Sequence, residues 1–168
     1  MSIDQIVSDQ PGLIPQNSGF LSRQRLWGCT TFLNHVSDYV YVHIMRDLTQ
    51  TEMLLSKKAF EKMIAQSGKT IKHYHTYTGI FSDNVFIDSV YQKYQNTPFC
   101  GAGDHHQKGI VKNKNKILTT SARILLIYGM GIWQKMIDYM LCKFAMKAIA
   151  ERLNSLQIYH NGRTPEYM

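Results

Sequence analysis

The residues whose types and spacing could do chemistry are a scattered set of aspartates and one lysine-rich stretch. Two-metal phosphoryl transfer on nucleic acid needs carboxylates that converge on one cleft, because the metals activate the attacking oxygen and stabilise the leaving one. Magnesium takes oxygen ligands, commonly one or two carboxylates. Asp4 stands in the first apolar stretch and is the best-placed ligand. Asp38 and Asp47 flank a later strand, Asp83 opens a helix, and Asp104 lies in a glycine-rich loop. None is spaced from Asp4 in a way that demands a site, and aspartate is common at caps and turns.

Histidines form the next candidate set. His73 and His75 alternate on a strand and share one of its faces, and His105 and His106 are adjacent. Together with Cys100 they match no zinc-ligand spacing, and no Cys–His catalytic pair is better supported. The run Lys108-Gly109-Ile110-Val111-Lys112-Asn113-Lys114-Asn115-Lys116 leads from the loop into a long helix. Helix N-termini attract phosphate through free backbone N–H groups and the dipole, and lysines and amides there add contacts. A solvated helical face explains the same run equally well.

These residues must be positioned by a small set of elements. Residues 1–7 form a candidate strand, and DQPGLIPQNSG reads as a loop or hairpin connection. Residues 26–33 and 39–45 are aromatic and β-branched, an antiparallel pair joined by a turn over 34–38. A helix follows, capped by Thr49 or Thr51 and ended by Gly68. Residues 70–75 alternate as a strand, 81–91 suggest a short helix, and 96–100 a brief strand broken by Pro98. The final two helices cover 110–128 and 133–153, with Gly129 and Gly131 separating them. The order is mixed α/β. Three antiparallel strands followed by a crossover helix suit a ribonuclease-H-like sheet, one candidate among several on pattern alone.

The 168 residues suffice for one domain, and 44% apolar with 18% charged residues is a globular composition. Lysine and arginine outnumber acidic residues by 19 to 12, giving +7 and a pI near 9.3. That balance suits a polyanion partner. Cys29, Cys100 and Cys142 make an odd number with no CxxC pair, which argues against a disulfide framework. The start MSIDQIVSDQ has no signal-peptide character and no apolar run reaches membrane length, so the expectation is a soluble intracellular protein.

The ordered stretches SIDQIVSDQPGLIPQ, TTFLNHVSDYVYVHIMRDLT, AFEKMIAQSGKTIKHYHTYTGIFSDNVFIDSV, FCGAGDHHQKGIVKNKNKILTTSARILL and MKAIAERLNSLQIYHNGRTPE resemble the integrase core of copia-type retrotransposon polyproteins. The similarity runs over nearly the whole chain. It implies a ribonuclease-H-like fold with a mixed five-stranded sheet flanked by helices. It implies joining of element DNA to target DNA, with Mg2+ or Mn2+ held by an Asp, Asp, Glu triad. It also implies a nuclear location, DNA as partner, and homo-oligomers, with neither a membrane nor a small-molecule substrate.

Residue by residue, the first triad position is Asp4. The second falls in Tyr74-His75-Thr76-Tyr77-Thr78-Gly79, where the family motif has the form HADNG or HTDNG, and is Tyr77. The third falls in His105-His106-Gln107-Lys108-Gly109-Ile110-Val111-Lys112, against a motif like HHQNGIVENKNK, and is Lys112. Only Asp4 is acidic. A neutral tyrosine is a poor magnesium ligand, and a charged ammonium has no lone pair to offer. The family's Asn before Gly-Ile-Val is Lys108 here, and Asn34 stands where relatives carry Asp. The reading is a degenerate core without catalysis or bound metal, contacting nucleic acid through Lys108, Lys112, Asn113, Lys114 and Lys116. Two alternatives stay open. One is a non-enzymatic DNA-binding or assembly module. The other is an active polynucleotidyl transferase whose metal site is relocated to Asp83 or Asp104. The chain reads as one domain over 1–168, truncated at both ends, with no zinc module and no C-terminal DNA-binding domain, as in a fragment of a decayed element.

Overall fold

The computed structural model describes residues 1–13, 25–76, 80–98, 105–134, 137–156, 158 and 162–165. Three strands build its sheet: β1 (Ser2–Leu13), β2 (Arg25–Leu33) and β3 (Val40–Met45), antiparallel in the order β1-β2-β3. The central strand β2 is buried along almost its whole length rather than alternately. That fits its run of apolar and small residues, because a strand covered on both faces needs no polar side. Gly28 is required there, since a Cβ would stand 2.6 Å from the Ile6 carbonyl oxygen.

β1 runs further than the sequence suggests. The stretch expected as a loop after Val7 continues the strand to Leu13, with a break in register between Val7 and Gly12. Such an irregularity is where a proline is tolerated in a sheet, and Pro11 lies within it. Of the expected strands 70–75 and 96–100, the described residues form two isolated parallel bridges, Ser2 with His75 and His73 with Asn96, and 99–100 lie outside the described residues. Each is held by two backbone hydrogen bonds: Ile3 N to His75 O (3.0 Å) and His75 N to Met1 O (2.7 Å), then Tyr74 N to Asn96 O (2.8 Å) and Asn96 N to Lys72 O (2.9 Å). The sheet itself has three strands among the described residues. The bridges carry its layering outward from the β1 edge without lengthening into ladders, and residues 69–73 on that side are largely exposed.

Helices cover both faces. On one lie α1 (Gln50–Gln66) and α2 (Asn84–Tyr91), over a core that includes Ile3, Phe32, Met53, Phe60, Tyr74 and Phe86. On the other lie α3 (His105–Ile132) and α4 (Cys142–Leu156), over Cys29, Leu33, Val42, Leu118, Ala122 and Met146. Thr49 caps α1 by accepting from the Glu52 N–H, and Gly68 takes a φ of 68° just past its end. Asp83 caps α2, accepting from the Val85 N–H at 3.0 Å. Asn154 of α4 grips the first residue of the edge strand β3 with both ends of its amide: the Val40 N–H donates to its Oδ1 at 2.9 Å, and its Nδ2 donates to the Val40 carbonyl at 2.7 Å.

Two expectations about the last helices are corrected. α3 starts at His105 and passes through Gly129 and Gly131 unbroken. Neither glycine has a positive φ, and the Trp133 N–H still donates to the Gly129 carbonyl at 2.7 Å. A helical glycine costs only about 1 kcal/mol, which a helix of 28 residues absorbs. The next helix accordingly begins at Cys142 rather than Trp133, after a short 3-10 turn over Tyr139–Leu141 whose cap is Asp138.

Glu61 of α1 locks this arrangement. Its carboxylate accepts from Tyr74 Oη (2.8 Å), Gln95 Nε2 (2.9 Å), Lys57 Nζ (2.9 Å) and Lys93 Nζ (2.5 Å). Burial pushes this carboxyl up, but the four donors outweigh it and hold it down at about 2. A depressed carboxyl stabilises the fold above its unfolded value of 4.5, and that stability is lost as pH falls toward 2. Glu61→Gln is expected to lower the unfolding free energy at neutral pH by about 2–3 kcal/mol. In urea titrations the wild-type advantage should shrink steadily between pH 5 and pH 2; equal midpoints at neutral pH would count against this role.

Candidate functional site

Strand alternation places Ser2, Asp4 and Ile6 on the face of β1 that looks toward α3. Asp4 pairs across the sheet with Thr31. From α3, Asn115 Nδ2 donates to Asp4 Oδ2 at 2.8 Å. Lys112 lies one helical turn before Asn115, close enough for its charge to act on Asp4. Three turns of α3 and the edge of β1 line an open cleft of about 410 Å³, whose residues include Asp4, Lys112, Asn115, Lys116, Thr119 and Arg123.

Burial is the largest influence on Asp4 and raises its pKa. A backbone hydrogen bond from Gln5, the Asn115 amide and the Lys112 charge all pull the other way, without cancelling it. Two oxygens beside this carboxyl, Thr31 Oγ1 and Asn115 Oδ1, are buried with no hydrogen-bond partner among the described residues. They are neutral ligands at best. The cleft therefore holds one carboxylate against three cationic side chains, Lys112, Lys116 and Arg123. Among the described residues no group of three or more His, Cys, Asp or Glu side chains could hold a metal ion. A pair of divalent ions needs several anionic ligands. The side chains described here do not fit one.

The other expected residues separate. Asp4 and Lys112 meet in the cleft, and Tyr77 lies outside the described residues, as do Asp104 and Cys100. Lys116 lines the cleft, while Asn113 is exposed and is not among its lining residues. The side chains of Lys108, His105 and His106 are outside the described set. Lys114 departs from the expectation of a phosphate contact: it is only 8% exposed and forms an ion pair with Asp38. Asp83 is engaged as the cap of α2 and also accepts from Gln50 Nε2. Asp47 accepts from the Thr49 hydroxyl and, at 2.9 Å, from the Thr49 N–H, and these bonds hold its pKa down. His73 is exposed, and the His75 ring lies 5.9 Å from that of His35.

Asn115, Thr119 and Arg123 were not among the expected site residues. The signal for Thr119 and Arg123 is the spacing 112, 116, 119, 123, which is one helical face over three turns. Lys114 stands well off that face, which is why it turns inward.

No family model matches the chain, and no curated protein does. Solved structures do. The catalytic core domain of BIV integrase superposes with a TM-score of 0.65 at 12% identity, over 99% of this chain and 90% of that one. The HTLV-2 integrase catalytic core domain, in a trimeric form in complex with magnesium, gives 0.59 at 17% identity over 99% and 93%. A chain of the simian T-cell lymphotropic virus intasome in complex with the PP2A regulatory subunit B56 gamma gives 0.64 at 14%, over 98% of this chain and 52% of that one. The likeness is one of fold: this chain has the ribonuclease-H-like architecture of an integrase catalytic core.

A raised carboxyl pKa means the fold holds the protonated form better than the charged one. Asp4 therefore costs stability above its folded pKa and nothing below the ordinary value of 3.8. Asp4→Asn is expected to stabilise the protein at neutral pH by about 1 kcal/mol. Paired urea titrations at neutral and acid pH check this. The gain should vanish in acid, and a loss of stability at neutral pH would contradict the assignment.

Proposed function

We propose that this chain is an integrase-like core of copia-type retrotransposon ancestry that binds DNA and no longer joins it. The observation that carries the reading is that Asp4 and Lys112 line one cleft, beside Lys116 and Arg123. The resemblance puts Lys112 at the position of the triad glutamate. The resemblance also puts Tyr77, outside the described residues, at the second triad position.

Charge decides between catalysis and binding. Replacing a carboxylate by an ammonium shifts the local charge by two units. A cation about 5 Å from a divalent ion repels it by roughly 7 kcal/mol at an effective dielectric of 20. The same ammonium attracts a phosphate. Three cations along one helical face match the spaced negative charges of a nucleic-acid backbone. A metal site relocated to Asp83 gains no support, because Asp83 is committed to the start of α2; Asp104 lies outside the described residues. The same reading includes homo-oligomers, as in the dimeric and trimeric forms of the HTLV-2 core, and a nuclear location.

Fluorescence anisotropy with duplex DNA tests the binding half. The affinity should fall with salt, and the triple variant Lys112→Ala, Lys116→Ala, Arg123→Ala should reduce the slope of log K against log salt by about 2–3. An unchanged slope sinks the assignment of this cleft. Strand-transfer assays in magnesium or manganese test the catalytic half and should read blank. Metal-dependent joining that disappears in Asp4→Asn would overturn it.

A further inference from the structure

Arg123 lines the basic cleft and also a second cavity beside it, an open hollow of about 410 Å³ between α3, β1 and the 3-10 turn before α4. That volume lies within the roughly 300–1,000 Å³ of small-molecule sites. Its walls follow from the local sequence. Arg123, Ile127 and Met130 recur at helical spacing and bring one face of α3 to it. Tyr139 and Met140 line it from the turn, and Lys143 lines it from the first turn of α4. Gly12 of β1 lets these parts come together. A Cβ there would stand 2.8 Å from the Met140 carbonyl oxygen and 3.0 Å from Lys143 Cδ.

The lining combines two kinds of surface that one ligand must satisfy together. Ile127 is 62% exposed and Tyr139 58%, so large apolar side chains are left in solvent. Beside them stand two cations, Arg123 and Lys143. Lys143 is only 5% exposed, and burial pulls the pKa of its ammonium down. An anion brought next to it offsets that desolvation. No carboxylate among the described residues lines the cavity, and α3 carries no acidic residue from His105 to Ile132. A cationic ligand is therefore repelled, and a neutral apolar one leaves two charges desolvated. A polyphosphate leaves the apolar walls uncovered. A single anionic head on an apolar body satisfies both surfaces.

We propose that the cavity between α3, β1 and the Tyr139–Leu141 turn is a binding site for an amphipathic carboxylate, its head at Arg123 and Lys143 and its apolar body against Ile127, Met130 and Met140. The site does not depend on DNA binding, and the test runs without DNA. Isothermal titration calorimetry of the full chain with sodium decanoate should show one saturable site per chain. Decanol should bind at least tenfold more weakly than decanoate, and decyltrimethylammonium more weakly still. Octanoate, shorter by two methylene groups, should lose about tenfold in affinity. Lys143→Met keeps the length of the side chain and removes its charge, and is expected to raise the decanoate Kd at least tenfold. Lys58→Met removes a charge from an exposed position of α1 and should leave that Kd unchanged. Should Lys143→Met fail to fold, Ile127→Asp, at an exposed position, is expected to weaken decanoate at least tenfold while the far-ultraviolet circular dichroism stays as in the wild type. Heats of dilution alone with decanoate overturn the proposal. So does decanol binding as tightly as decanoate, or a decanoate Kd that neither Lys143→Met nor Ile127→Asp moves.

Discussion

The hydrogen bond from Asn115 to Asp4 ties the longest helix to the first strand, and the geometry of the cleft depends on it. A helix lying on a sheet can rotate about its axis at little cost while only apolar contacts hold it. A part-buried polar bond restricts that freedom, because breaking it takes a donor from a half-buried carboxyl that keeps only the Gln5 N–H. With Asn115 pinned to Asp4, the helical period sets the rest of the α3 surface. Lys112, Lys116 and Arg123 face the cleft, Val111, Leu118 and Ala122 enter the core, and Ser121, Ile124 and Tyr128 face outward. Lys114 is fixed from its other end by Asp38, a residue held at a φ of 55° in the turn before β3.

The two faces of the sheet are secured differently. On the α1 side one carboxylate gathers donors from its own helix, from the bridge segment and from the chain after α2. That gathering compensates for the shortness of the parallel pairing beyond β1, where single bridges contribute few backbone bonds. On the α3 side the clamp is the Asn154 amide on Val40. It satisfies backbone groups at the start of an edge strand that would otherwise face open pairing. Both devices are polar bonds placed where the apolar clusters end.

The sequence made β2, β3 and α1 legible because each is long, strongly patterned and bounded by turn or cap chemistry. Thr49, Gly68 and Asp83 act as those local rules state. The misreadings at Pro11 and Gly129 share one cause: each is a local breaker whose tertiary setting overrides the local preference. A register shift accommodates the proline, and packing against Ile137 accommodates Gly129, where a Cβ would meet that side chain at 3.4 Å. At the site, residue types identified Asp4 and Lys112, but counting lysines hid the helical phase that sends Lys114 inward. The Asn115 bond could not be read at all, since it joins residues 111 positions apart.

The same bond gives Asp4 a reason to be acidic that does not involve metal. An anion beside Lys112 offsets part of the repulsion that three aligned cations would otherwise exert on one another across a short helical face. It also accepts the one amide hydrogen bond that orients α3. Burial makes that anion costly, as the upward shift of its pKa shows. Loss of the charge alone would relieve the desolvation and leave an amide able to bond Asn115. Loss of the whole side chain would free the helix to turn. On this account the side chain at position 4 sets the orientation of α3, and its charge only modulates the potential in the cleft. Shape and charge at this residue are separable contributions, and only the first is needed to keep Lys112, Lys116 and Arg123 on one line.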